Sequence, residues 1–160
     1  MTGRWRTSLR PAAPDDEAEL IELLEDSFRT TWAPQVSAAA QRQWFEADKA
    51  GNYVRAMAEE FVIAEAAGYI AGMVHWRAEF IHALHVHSRF RRRGIGSLLL
   101  RHAEDLIASS GNQLARLETD SFNVESRAFY AAHGFREVGA RADAEWNSGI
   151  TTLLLEKPLE

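Results

Sequence analysis

Residues 89–100 read Arg-Phe-Arg-Arg-Arg-Gly-Ile-Gly-Ser-Leu-Leu-Leu, and this stretch constrains the fold more than any other. An apolar run ending at Val86 leads into it, and Leu99, Ala103, Leu106 and Ile107 leave it at helical spacing. A strand, a glycine-rich turn and a helix therefore follow one another. The first turn of such a helix holds N–H groups without intrahelical partners, and the macrodipole adds partial positive charge there. Glycine at 94 and 96 lets the backbone approach an anion closely, and the arginines supply bidentate donors. A phosphate seat is one reading and a solvated surface turn the other. The spacing is not a Walker loop, which ends Gly-Lys-Ser/Thr, nor Gly-x-Gly-x-x-Gly, because Leu99 stands at the third glycine.

The remaining elements decide what surrounds that turn. Residues 4–9 alternate as a short first strand; Pro14 opens a helix with Asp15, Asp16 and Glu17 at its positive end. Leu20, Ile21, Leu24 and Phe28 give that helix one buried face, and a weaker helix spans 37–50, ending near Gly51-Asn52. Residues 61–65 and 69–76, joined through Ala66-Ala67-Gly68, form an antiparallel hairpin. Residues 79–86 are a third strand feeding the arginine loop. The next helix stops near Gly111, and 114–119 are again a strand. A helix marked by Val124, Ala128, Phe129 and Ala132 starts at an Asn123 N-cap and stops at Gly134. Residues 135–138 and 150–155 complete the sheet. No repeat or linker interrupts this order, so residues 1–160 are expected to be a single α/β domain with a mixed sheet.

Charge and composition narrow the partners. The 160 residues carry a formal net charge of −5, which argues against nucleic acid and confines the arginine cluster to a local, small anion. There are 0 cysteines, so disulfides, thiolate metal sites and a cysteine nucleophile are out, and a reducing cytoplasm is compatible. No apolar window suits a signal peptide or a membrane span.

Arg91-Arg92-Arg93-Gly94-Ile95-Gly96 resembles the Arg/Gln-x-x-Gly-x-Gly/Ala signature of the GNAT superfamily of acetyl-CoA-dependent N-acetyltransferases, with Leu84-His85-Val86 as the strand before it. Asn123-Val124-Glu125-Ser126 and the run from Phe129 to Phe135 resemble the family's second block. Ser88 stands where the family usually has proline. The resemblance implies a mostly antiparallel central sheet with helices on both faces and two splayed, parallel central strands.

It also implies a chemistry. Main-chain groups of Arg91, Arg92, Arg93, Gly94, Ile95, Gly96 and Ser97 would bind the pyrophosphate of acetyl-CoA. Leu84 and Val86 would pair with the pantetheine arm as an added strand, and Asn123 would meet the cofactor's other flank. Tyr130 would lie near the sulfur and protonate the departing thiolate, and the Val86 N–H would hold the oxyanion. His82 is the favoured base, similar in position to a histidine of the arylalkylamine branch; Glu118, Asp120 and water are alternatives. Relatives often dimerise, and the acceptor would be a small-molecule or peptide amine.

Other readings stand beside these. His82, His85 and His87 do not converge for a metal, because strand alternation sends His82 away from the other two. Phe129 reads as core, Arg89 as a solvated loop residue and Asn123 as a cap whether or not it meets cofactor. Trp5 and Trp44 read as packing against the sheet, while Trp32 and Trp146 fall in segments that line the acceptor site in relatives. A non-catalytic acyl-CoA-binding or protein-interaction module on the same fold is the alternative from another class.

Overall fold

The computed structural model describes residues 6–143 and 149–160. The expectations for Arg4, Trp5 and Trp146 lie outside those residues. Seven strands hydrogen-bond in the order β1-β2-β3-β4-β5-β7-β6. They are β1 (Thr7–Pro11), β2 (Phe61–Ala66), β3 (Tyr69–Arg77), β4 (Phe80–Val86), β5 (Leu114–Asp120), β6 (Arg136–Ala142) and β7 (Thr151–Pro158). The helices are α1 (Glu17–Ser27), α2 (Ala38–Glu46), α3 (Lys49–Met57), α4 (Ile95–Ser109) and α5 (Val124–Ala132). Among the described residues only β4 and β5 pair in parallel, at Phe80↔Arg116 and Ile81↔Leu117, so the sheet is mixed and mostly antiparallel. Among the described residues no helix is long and apolar enough to cross a membrane.

Contacts divide the chain into two units, Met1–His75 with Ala83–His102, and Trp76–His82 with Ala103–Glu160. In the first, the β2–β3 hairpin turns at Ala67 and Gly68, whose φ of 54° and 81° fit a tight turn between right-twisted strands. Successive strand residues point to opposite faces, which puts helices on both sides of β3. Met73 packs with Leu20, Leu23 and Leu24 of α1 and Val54 of α3. Gly72, its neighbour, faces Leu99 and Ile95 of α4. A polar cluster, in which the buried His75 imidazole meets the Tyr53 hydroxyl and lies 3.1 Å from Glu60, ties α3 to β3.

The expected helix over 37–50 is two helices. Asp48 breaks it in the left-handed conformation, φ 49°, with Arg55 pairing to its carboxylate. Gly51 lies inside α3 rather than ending it. Trp44 stacks flat on Phe28, ring centroids 4.0 Å apart, and packs against the core cluster that joins α1 and α3 to β2 and β3. Between α1 and α2 the chain makes a π-helical turn, Phe28–Trp32, which no sequence period announces.

In the second unit β7 lies between β5 and β6. Leu117 and Leu155, paired across β5 and β7, are buried. Asn123 caps α5, its Oδ1 accepting from the Ser126 N–H at 3.0 Å, and Gly134 ends it at φ 90°. Leu106 is exposed, so α4 buries Leu99, Leu100, Ala103 and Ile107 instead. Every residue of β6 is exposed, as suits the outermost strand.

Candidate active site

The arginine loop is built by alternating backbone handedness. Arg91 is extended at φ −66°, Arg92 turns left-handed at φ 62°, and Gly94 does so again at φ 81° before α4 starts at Ile95. Left-handed residues in a turn are a recurring element of backbone anion-binding concavities. The first helical bond runs from Leu98 N–H to the Gly94 carbonyl at 3.0 Å, so the N–H groups of Ile95 and Gly96 precede the ladder. An atom placed at the missing Cβ of Gly94 meets nothing within 4 Å, which leaves that side of the turn open to a ligand. A hollow of about 420 Å³ adjoins it, lined by Thr7, Arg93, Gly94, Ile95, Ser97, Leu98 and Arg101. Hydrogen-bond donors, positive charge and space coincide there, so the residues fit the diphosphate of a coenzyme A thioester.

The three arginines differ. Arg92 and Arg93 are exposed, whereas Arg91 is half-buried. Its Nη2 donates to Thr30 Oγ1 at 2.9 Å and its Nε to the Val86 carbonyl at 3.4 Å. Arg89 lies over the Tyr69 ring, 5.3 Å from its centroid. Asp26 accepts from both the N–H and the hydroxyl of Ser88 at 2.8 Å, fixing the entry to the loop. Neither Asp26 nor Thr30 carries a local sequence signal of this role, since their partners lie 62 and 61 positions away.

On β4, Leu84, His85 and Val86 are half-buried. His85 meets the edge of Trp32, centroids 6.1 Å apart. Desolvation, with the Arg91 cation adding to it, pushes the His85 pKa down to about 4. The folded value lies below the ordinary 6.5, so neutral His85 stabilises the fold above pH 6.5, and that contribution disappears as pH falls towards 4. In His85→Gln, melting curves at pH 7 and pH 4.5 should differ less than in wild type, by on the order of 2 kcal/mol once partial exposure is allowed for. His87 is buried; its Nδ1 accepts from the Arg89 N–H at 3.2 Å, so the proton sits on Nε2, 3.1 Å from Glu22. Among the described residues no group of three or more His, Cys, Asp or Glu could hold a metal.

The second unit carries the remaining candidates. Tyr130 is buried, 7% exposed, with Phe129 and Phe135 edge-on at 5.2 and 5.6 Å. Phe129, expected in the core, is the more exposed of the pair. Burial pushes the Tyr130 phenol well above its usual pKa, so it stays protonated, and among the described residues nothing hydrogen-bonds its hydroxyl. Glu118 is held by a two-pronged ion pair with Arg141. The Asp120 carbonyl accepts from the Asn123 N–H at 3.0 Å. His82 is exposed on β4, its ring 4.8 Å from Phe80.

A mixed sheet whose fourth strand runs through a left-handed, arginine-rich turn into a helix is the arrangement that the sequence resemblance to acetyltransferases implies. The model of the acetyltransferase (GNAT) family matches residues 17–135, and the chain belongs to that family. Similar solved structures include a GCN5-related N-acetyltransferase from Rhodopseudomonas palustris, with 22% identity, 95% of each chain covered and a TM-score of 0.79. The PaiA N-acetyltransferase from Thermoplasma acidophilum, solved with coenzyme A, has 20% identity, a TM-score of 0.73 and coverage of 96% of this chain and 99% of its own. The apo form of YjaB from Escherichia coli has 20% identity, a TM-score of 0.75 and coverage of 94% and 97%. At these identities the likeness is one of fold. No curated protein matches the chain significantly.

Proposed function

We propose that residues 1–160 form a single-domain enzyme that moves the acetyl group of acetyl-CoA onto a primary amine by direct attack. The observation that carries this reading is the turn into α4, left-handed at Arg92 (φ 62°) and at Gly94 (φ 81°), with the Ile95 and Gly96 N–H groups ahead of the helical ladder and the Gly94 side open. Similar folds in proteins named N-acetyltransferases support it, one of them solved with coenzyme A.

Acetyl-CoA supplies an activated thioester carbonyl. The loop amides hold its diphosphate, and the β4 backbone at Leu84 and Val86 pairs with the pantetheine amides. The neutral amine adds to the carbonyl carbon, and the Val86 N–H donates to the oxygen as negative charge develops. Collapse expels coenzyme A as a thiolate, Tyr130 gives the sulfur a proton, and the proton that the acylated nitrogen sheds passes through water to restore the phenol. A protonated, desolvated phenol with no internal acceptor suits that donation. Glu118 is committed to Arg141, which favours His82, exposed and able to pass the ammonium proton to water.

Free-thiol release across a panel of amines, read beside calorimetric coenzyme A binding, tests the reading. Binding without thiol release would favour the non-catalytic acyl-CoA module instead. Tyr130→Phe should lower kcat by about 100-fold while coenzyme A affinity stays within a factor of two. Unchanged turnover in that variant removes the phenol from the mechanism.

A further inference from the structure

We propose that Arg91 is a positioning residue, a strut tying the coenzyme loop to the π-helical turn Phe28–Trp32, rather than a ligand of the diphosphate. The proposal rests on the reading of that loop as a coenzyme A seat.

The geometry is specific about where the side chain goes. Arg91 Nη2 donates to Thr30 Oγ1 at 2.9 Å, while the Thr30 hydroxyl donates its own proton to the Asp26 carbonyl at 2.9 Å. The hydroxyl has one proton, so these roles are complementary, and its lone pairs are left for the guanidinium. Arg91 Nε reaches back to the Val86 carbonyl at 3.4 Å. A second rung runs from the Asp26 carboxylate to the N–H and hydroxyl of Ser88. The end of α1 and the turn after it therefore hold the loop at Ser88 and at Arg91.

That same turn carries Trp32, which meets His85 on β4, and the Arg91 charge is near enough to depress the His85 imidazole. Thr30, Trp32, His85 and Arg91 thus surround one short segment. A π-helical turn is rare and is frequent at functional sites. Filling the loop fixes Arg91, Arg91 fixes Thr30, and the turn bearing Trp32 is ordered in consequence. Coenzyme binding and the shape of the wall at Trp32 become linked quantities.

Hydrogen exchange of the full chain with and without coenzyme A, alongside calorimetry, tests the strut. In wild type, coenzyme A should slow exchange over residues 28–32. Thr30→Val and Arg91→Met should each abolish that slowing and weaken coenzyme A binding by roughly threefold to tenfold. Because both variants cut one interaction, the double variant should bind no more weakly than either single one. Thr30→Ser keeps the hydroxyl and should behave as wild type. The proposal fails if Arg91→Met weakens binding 100-fold or more while Thr30→Val does not, with effects that add. It fails equally if coenzyme A leaves exchange over 28–32 unchanged in wild type. Either result overturns the strut alone; a wild-type protein that binds no coenzyme A overturns the enzyme reading and the strut together.

Discussion

Gly94→Asp should weaken coenzyme A binding at least 100-fold, while Gly94→Asn stays within about tenfold of wild type. The pair isolates charge from shape. Gly94 sits at φ 81°, where a side chain is strained by roughly 1 kcal/mol, and Asp and Asn tolerate that region about equally. A Cβ there meets nothing within 4 Å, so neither side chain clashes with the protein. What differs is a carboxylate that would face the proposed diphosphate. Two unit charges about 4 Å apart repel by roughly 1 kcal/mol in water and 4 kcal/mol at the effective dielectric of a protein surface, and a diphosphate presents more than one charge. Titration calorimetry of both variants gives the ratio, and melting curves confirm that both are folded. Equal losses in the two would mean that backbone strain, not anion repulsion, decides binding there.

The elements legible in the sequence are those that end on a residue with a backbone role of its own. Gly68, Gly111 and Gly134 all have φ between 81° and 92°, and each closes the strand or helix before it as its sequence position implies. Asn123 is legible because a short side chain before an apolar helical pattern has one economical use, capping. Asp48 misleads for the opposite reason: it breaks a helix without glycine or proline, through a pairing with Arg55 that lies a helix turn and more ahead.

The candidate site divides along the same line. The loop's donors lie within one short stretch, so spacing exposes them. The supports at Asp26 and Thr30 belong to a helix whose pattern speaks only of its buried Leu20, Leu23 and Leu24. Phe129 and Tyr130 are neighbours on α5, where a 3.6-residue period cannot choose between adjacent aromatics; packing against Phe135 does so. His85 carried no signal beyond its parity on the strand, and its depressed pKa comes from desolvation and Arg91.

Gly72→Ala should destabilise the protein by about 2–3 kcal/mol, the range expected when a methyl is forced into a filled core. Gly72 pairs with Ala64 across the hairpin, and its missing Cβ points at β4 and α4. An added Cβ would lie 2.7 Å from the His85 carbonyl oxygen, 3.0 Å from Leu99 Cδ1 and 3.3 Å from Ile95 Cγ2. The two methyl contacts can be relieved by small rotations. The carbonyl belongs to the backbone of β4, between Leu84 and Val86, and moves only with the strand. For a chain of this size the loss corresponds to a fall in Tm of about 5–10 °C. Shortening Leu99 should therefore not rescue the variant: Gly72→Ala with Leu99→Val leaves the carbonyl contact in place and adds a cavity. The displaced strand would carry the Leu84 and Val86 main-chain groups with it, so coenzyme A affinity should fall in the folded fraction as well. A Tm within 2 °C of wild type, or full recovery on trimming Leu99, would show that β4 yields at His85 and that glycine is not required there.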